Sequence, residues 1–293
     1  MKICKTISEL IVWRNESETH NIGFVPTMGA LHQGHLSLVE ESKKTCQKTV
    51  VSIFVNELQF SPKEDFNQYP RTLESDLGAL KTLKVDVVFL PSKKEMYNEP
   101  FSVIVNEFKI SQKLEGASRP DFFTGVTTIV SKLFNLVRPS HAFFGQKDVQ
   151  QLFIIRRMVE NLNYAIKIVG CKTVREKNGL AMSSRNQYLN SNEKDCASII
   201  YRALQLGENM VKNHMKYSDV IKVMKEAFQE ETIEEIEIDY LSIAETGNFD
   251  ELSDDDDLGC VGFGNMDAAP QVVISCAVYL NKIRLIDNVV VNG

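Results

Sequence analysis

Apolar positions along the first 170 residues switch repeatedly between two periods. Short blocks rich in β-branched and aromatic residues at 21–25, 50–55, 85–90, 141–144 and 165–169 read as buried strands. Between them, 34–44, 72–83, 124–137 and 149–162 carry apolar residues at the spacing of a helix packed on one face. Strand and helix in alternation predict an α/β unit with a parallel sheet, whose ligands gather beyond the carboxyl ends of the strands. After about residue 175 the order changes. Helical patterns at 191–212 and 218–229 come first, and strand patterns at 235–243, 271–279 and 283–291 follow, which predicts a smaller α+β domain. The expected division is 1–174 and 175–293.

Composition narrows the class. The 293 residues suffice for two modest domains, and 43% hydrophobic with 25% charged residues matches soluble globular proteins, excluding disordered and fibrous chains. No apolar run approaches the roughly 20 residues needed to cross a bilayer. The start, Met1-Lys2-Ile3-Cys4-Lys5, leads into a stretch broken by Glu9 and Arg14 and lacks the apolar region of a secretory signal, so a cytoplasmic location is expected. Cys4, Cys46, Cys171, Cys196, Cys260 and Cys276 form no C-x-x-C pair and read as reduced, packed thiols. A formal net charge of −6 without a basic stripe argues against nucleic-acid binding but leaves room for a local cationic pocket. The run Asp254-Asp255-Asp256-Asp257 reads as a solvated loop rather than a metal site.

The segment Pro26-Thr27-Met28-Gly29-Ala30-Leu31-His32-Gln33-Gly34-His35 lies between the first predicted strand and the first long helix. A turn of this kind aims free backbone N–H groups and the positive end of a helix dipole at whatever binds above the sheet. Gly29 and Gly34 have the glycine spacing of a P-loop, but His35 and Leu36 stand where its Lys and Ser/Thr would be, which excludes that motif. A zinc pair is disfavoured because no obvious third ligand lies nearby. His32 and His35, three apart, are expected on one helical face, reaching one ligand. Ordinary packing histidines are the competing account, but these are two of only five, at a glycine-punctuated strand end.

The His-x-Gly-His pattern resembles the signature of the nucleotidyltransferase superfamily related to class I aminoacyl-tRNA synthetases. With 53–60 (Ile-Phe-Val-Asn-Glu-Leu-Gln-Phe), Tyr69-Pro70-Arg71-Thr72, 143–152 (Phe-Phe-Gly-Gln-Lys-Asp-Val-Gln-Gln-Leu) and Met182-Ser183-Ser184-Arg185-Asn186, the chain closely resembles the pantoate–β-alanine ligase family. The resemblance implies a Rossmann-like N-terminal domain, a smaller C-terminal domain and a homodimer. It also implies a reaction: pantoate and ATP form pantoyl adenylate and pyrophosphate, then β-alanine displaces AMP to give pantothenate.

The same resemblance assigns roles. Met28, His32, His35, Gly145, Lys147, Asp148, Val174, Ser183, Ser184 and Arg185 would contact ATP, with His32, His35, Lys147 and Arg185 favouring the developing charge. Gln59, Gln150, Asn56 and the Met28 backbone would hold pantoate. Asp76 lies where the family has acids linked to Mg²⁺, although Ser75 replaces a neighbouring acid, and the metal could instead arrive on ATP phosphates. Arg119, before Pro120, falls in a segment resembling a mobile gate. Glu57, Gln146 and Phe122 depart from the usual Pro, Glu and His, which puts substrate-loop geometry in question. Two other readings remain: a nucleotidyltransferase moving AMP to a phosphorylated acceptor, and a non-catalytic nucleotide-binding regulator. A tRNA synthetase is disfavoured, since no anticodon-binding domain fits the remaining chain.

Overall fold

A computed structural model of the chain describes every residue except 62, 63, 65, 231–235, 257, 259–271 and 292–293. Cys260, Asp257 and the first residues of two predicted strands, Glu235 and Gln271, lie outside the described residues. The chain divides into two compact units. The first comprises Met1–Ser111, Arg119–Gln146 and Gln151–Thr173. The second comprises Gln112–Ser118, Lys147–Gln150 and Val174–Gly293. A single boundary after residue 174, as the sequence pattern predicts, would put 112–118, 147–150 and Val174 with the first.

The first unit is built on six parallel strands, β1 Lys2–Cys4, β2 Ile22–Thr27, β3 Lys48–Ile53, β4 Val87–Phe89, β5 His141–Gly145 and β6 Lys167–Cys171, in the order β1-β4-β3-β2-β5-β6. The order reverses between β2 and β5, where ligand crevices form in such sheets. Central β2 and β3 are buried on both faces, so they read as continuous apolar runs rather than alternating ones. Helices α1 Ile7–Glu16, α2 Gln33–Thr45, α3 Leu73–Thr82, α4 Lys93–Met96, α5 Glu115–Ser118, α6 Phe122–Val137 and α7 Val149–Asn161 follow in chain order, with α5 and the first two residues of α7 counted in the second unit. Strand β1 escapes the hydrophobic pattern because it lies at the sheet edge with only one of its three residues buried, whereas the equally short β4 is buried throughout. Val25, Leu38, Val51, Leu80, Val88 and Phe143 form a core between the sheet and its helices.

In the second unit, α8 Ser191–Ala197, α9 Ile199–Lys212 and α10 Tyr217–Glu230 precede the antiparallel strands β7 Ile236–Glu245, β8 Val272–Leu280 and β9 Ile283–Val291. The single helix expected over 191–212 is two, interrupted at Ser198, whose hydroxyl donates to the Asp195 carbonyl at 2.6 Å. Ala203, Leu204, Met224, Phe228, Ile274 and Cys276 make this unit's core, with central β8 almost wholly buried. The β8–β9 hairpin turns on Asn281 at φ 54°, a left-handed position that suits asparagine.

Candidate active site

The turn from β2 into α2 is fixed from below by one carboxylate. Asp76, on α3 and 2% exposed, accepts from the backbone N–H of Ala30 and of Leu31, both at 2.9 Å, and from the Thr72 hydroxyl at 3.0 Å. Gly29 takes φ 85°, and a Cβ there would lie 3.2 Å from an Asp76 carboxylate oxygen, so conformation and space both call for glycine. Asp76 thus acts as the anchor of the turn.

The histidines sit differently from the helical-face expectation. His32 is the N-cap of α2 in extended conformation, and only His35 lies within the helix. His32 Nδ1 accepts from the Gly34 N–H at 3.1 Å, and His35 Nδ1 receives the His32 N–H at 3.4 Å. This is a reciprocal capping box made of imidazoles. The rings lie 4.1 Å apart at 43°. With each Nδ1 accepting, the neutral tautomer carries its proton on Nε2, a donor. The expectation that both rings reach one ligand is compatible with that spacing, reached through the cap.

A second cluster in this unit surrounds the 3₁₀ turn Glu57–Gln59. Asn56, 1% exposed, donates through Nδ2 to the Gly125 carbonyl at 3.1 Å and to Gln59 Oε1 at 2.9 Å. Its Oδ1 accepts from the Tyr97 hydroxyl at 2.5 Å. Gln59 Nε2 points to Met28 Sδ at 3.2 Å, linking the cluster to the histidine turn. Helix α6 approaches at Gly125, where a Cβ would stand 2.4 Å from the Leu58 carbonyl oxygen. Arg119 donates to both Glu64 carboxylate oxygens at 2.5 and 3.1 Å and to the Gln59 carbonyl at 3.2 Å, with its guanidinium 3.8 Å from the Phe122 ring centroid. The atypical Phe122 is therefore a platform for Arg119, and the atypical Glu57 pairs with Lys93 at 2.8 Å. Sequence reading missed Tyr97, Glu64 and Gly125. A lone glycine inside the apolar α6 pattern is a signal of close approach that could have marked Gly125.

In the second unit, Gln150 is buried, its Oε1 accepting from the Glu115 N–H at 3.1 Å and its Nε2 donating to the Lys113 carbonyl at 2.7 Å. Arg284 grips both oxygens of Glu115 at 2.7 and 2.8 Å and also Asp239 at 2.6 Å. The Lys147 carbonyl accepts from Asn288 Nδ2 at 2.6 Å, and its ammonium lies 3.8 Å from Asp148. Asn288 is set by its neighbour, for Asp287 accepts the Asn288 N–H at 2.8 Å and two bonds from Arg175 at 2.5 and 3.1 Å. Burial pushes the Asp287 carboxyl above its ordinary value while Arg175 pulls against it.

The 174–186 segment forms a tight hairpin. Val174 accepts the Met182 N–H at 3.0 Å, Arg175 and Ala181 form an antiparallel bridge, and Gly179 at φ 96° makes the turn. Beyond it Ser183 caps a 3₁₀ helix over Ser184–Tyr188 by accepting the Arg185 N–H at 3.3 Å. Buried Asn186 donates to Glu176 and to the Ala181 carbonyl, both at 3.0 Å, so hairpin and helix hold one another. Gly145 closes β5 with no protein atom within 4 Å of where a Cβ would stand. No cluster of three His, Cys, Asp or Glu side chains suited to a metal occurs among the described residues.

Comparison with known proteins identifies the family. The family model described as Pantoate-beta-alanine ligase matches residues 2–290. The pantothenate synthetase of Thermosipho africanus is 44% identical over 294 residues, covering 99% of this chain and all of that protein. That of Caldicellulosiruptor bescii is 44% identical over 296 residues, with all of both chains covered. The crystal structure of the Thermus thermophilus pantothenate synthetase superposes with a TM-score of 0.89 at 39% identity, covering 100% of both chains. A Francisella tularensis pantoate-beta-alanine ligase complexed with beta-gamma ATP and beta-alanine gives a TM-score of 0.79 at 32% identity, over 99% of this chain and 97% of that one.

Proposed function

The chain belongs to the pantoate–β-alanine ligase family, which makes it an ATP-dependent enzyme joining pantoate to β-alanine, and on that premise we propose that the reaction runs through pantoyl adenylate. The pantoate carboxylate oxygen attacks the α-phosphorus of ATP, the bond to the β-phosphate oxygen breaks and pyrophosphate leaves. The β-alanine amine then attacks the acyl carbon, the bond to AMP breaks, and the amine proton passes to solvent.

The observation that carries this reading is the contact of Gln59 with Met28. It ties the amides of Asn56 and Gln59 to the same strand–helix turn that bears His32 and His35. Gln59 is assigned to pantoate directly, while Asn56, whose amide is fully engaged by protein groups, holds Gln59 in place. His32 and His35 donate from Nε2 to phosphate oxygens, an interaction that gains most as charge builds on the leaving group. Lys147 and Arg185 neutralise phosphate charge, the planar guanidinium suiting paired oxygens. Ser183 and Ser184 supply hydroxyl donors. Gly145, with open space at its α-carbon, suits close approach of the nucleotide, and Asp148 suits the ribose. Val174 contacts adenine through its main chain, and Gln150 contributes to pantoate binding.

The residues do not fit a protein-held Mg²⁺. Asp76 spends its carboxylate on two backbone amides and a hydroxyl, and it belongs to no group of three or more His, Cys, Asp or Glu side chains suited to a metal among the described residues. Mg²⁺ is assigned to the nucleotide, as MgATP substrate. No helix among the described residues is long and apolar enough to cross a membrane, and the family resemblance supports a cytoplasmic homodimer.

The test is AMP and pyrophosphate release from ATP and pantoate, with and without β-alanine. Stoichiometric AMP that needs all three substrates is expected. Pyrophosphate release that is indifferent to pantoate would overturn the reading.

A further inference from the structure

The Asn56 cluster determines which atom of Gln59 a ligand meets. The Gly125 carbonyl can only accept, so the atom of Asn56 facing it, 3.1 Å away, is the nitrogen. The second hydrogen of that nitrogen is directed at Gln59, so the Gln59 atom facing Asn56 at 2.9 Å is the oxygen. Gln59 must then turn its nitrogen outward, where its partner is Met28 Sδ at 3.2 Å. A thioether is a weak acceptor and is readily exchanged for a ligand oxygen.

The remaining atom of the Asn56 amide, Oδ1, meets the Tyr97 hydroxyl at 2.5 Å. That hydroxyl comes from the end of α4, far from every motif in the sequence, and its ring packs against Phe54 and Phe101 with centroids 6.0 and 4.9 Å away. Asn56 is 1% exposed, so an unpartnered Oδ1 would cost free energy and loosen the amide that orients Gln59.

We propose that Tyr97 is a positioning residue for pantoate: through Asn56 it holds the Gln59 amide nitrogen outward, so that position 59 donates to an oxygen of the hydroxy acid. The proposal deepens the functional reading above and rests on it. Burial, with a smaller contribution from Glu57, pushes the Tyr97 phenol above its ordinary value, so the O–H remains a donor throughout the working pH range. A ligand presenting N–H in place of this oxygen would be refused, because donor would meet donor.

Tyr97→Phe removes one hydroxyl while keeping the ring. The variant is expected to raise the KM for pantoate about tenfold while the KM values for ATP and β-alanine stay within about twofold. Gln59→Glu, which places an acceptor where a donor belongs, is expected to raise the pantoate KM at least as far. A Tyr97→Phe enzyme with the wild-type pantoate KM would overturn the proposal. So would a rise shared equally by all three substrates, which marks a merely structural role. A second measurement needs no substrate: hydrogen exchange of the Asn56 side-chain amide, followed by NMR, should be slow in the wild type and about tenfold faster in Tyr97→Phe. If the wild type shows slow exchange but no pantoate-dependent AMP formation, the functional reading falls while the orientation of the amide stands. Equal exchange in the two proteins overturns the orientation itself.

Discussion

Asn288 on β9 donates its side-chain amide to the backbone carbonyl of Lys147 at 2.6 Å. A residue 141 positions away in the sequence therefore sets the path of the lysine assigned to phosphate. Asn288→Ala is expected to lower kcat for pyrophosphate release about tenfold, through misplacement of the ammonium. Stability should fall by only about 1 kcal/mol for the lost bond. Steady-state kinetics beside a denaturant melt checks both. An unchanged kcat would show that the bond serves folding alone.

The imidazole cap on α2 separates the capping that His32 performs from the phosphate contact proposed for it. His32→Ala should lose about 1 kcal/mol of stability along with activity. Asparagine is a good N-cap, so His32→Asn should melt near the wild type yet form adenylate about a hundredfold more slowly. His35→Ala and Lys147→Ala should each slow adenylate formation by about a hundredfold or more, with little change in the melt of Lys147→Ala and a loss of no more than about 1 kcal/mol in His35→Ala, which removes the weaker half of the cap. Single-turnover pyrophosphate release provides the measurement, and wild-type rates in either variant would remove that residue from the chemistry.

Asp76 anchors the turn, and its variants should behave accordingly. Asp76→Asn leaves one oxygen for two backbone donors 2.9 Å away and should destabilise the protein by about 1–3 kcal/mol. The Mg²⁺ concentration giving half-maximal rate should stay unchanged. A shift of that concentration by tenfold or more, about 1.4 kcal/mol, would make Asp76 a metal ligand after all.

Gly125 lets α6 touch the 57–59 turn. A methyl group in Gly125→Ala would meet the Leu58 carbonyl oxygen at 2.4 Å and the Gln59 nitrogen at 2.7 Å, both backbone atoms that cannot swing away. Overpacking of about 1–3 kcal/mol is expected, with a raised pantoate KM because Gln59 is displaced. Calorimetry and pantoate titration test the pair of effects together.

Burial raises the Cys171 thiol to about 11 from an ordinary 9.0. The folded protein therefore holds this proton more tightly than the unfolded chain does. Between pH 9 and about 11 the folded state binds more protons, so stability falls as pH rises through that window. Cys171→Ser should flatten the fall, and alkylation of Cys171 at pH 8 should be slow. Melts from pH 8 to 11 decide the first expectation, peptide mass mapping the second.

Local order along the chain was enough to reveal the alternating parallel sheet, the separate helices and strands after residue 175, and the family with its substrates. Periodicity and short motifs are properties of neighbouring residues, and each strand of the first unit except the mostly exposed β1 carried its own signal. Contacts between distant segments were invisible. Nothing in the sequence showed that Asp76 would spend its charge on the N–H groups of Ala30 and Leu31, that His32 would cap the helix it precedes, or that Tyr97 would reach Asn56. Those outcomes depend on which buried donors and acceptors face one another once the strands are ordered. Folding resolves them because a buried polar group left without a partner costs more than the local alternatives it gives up.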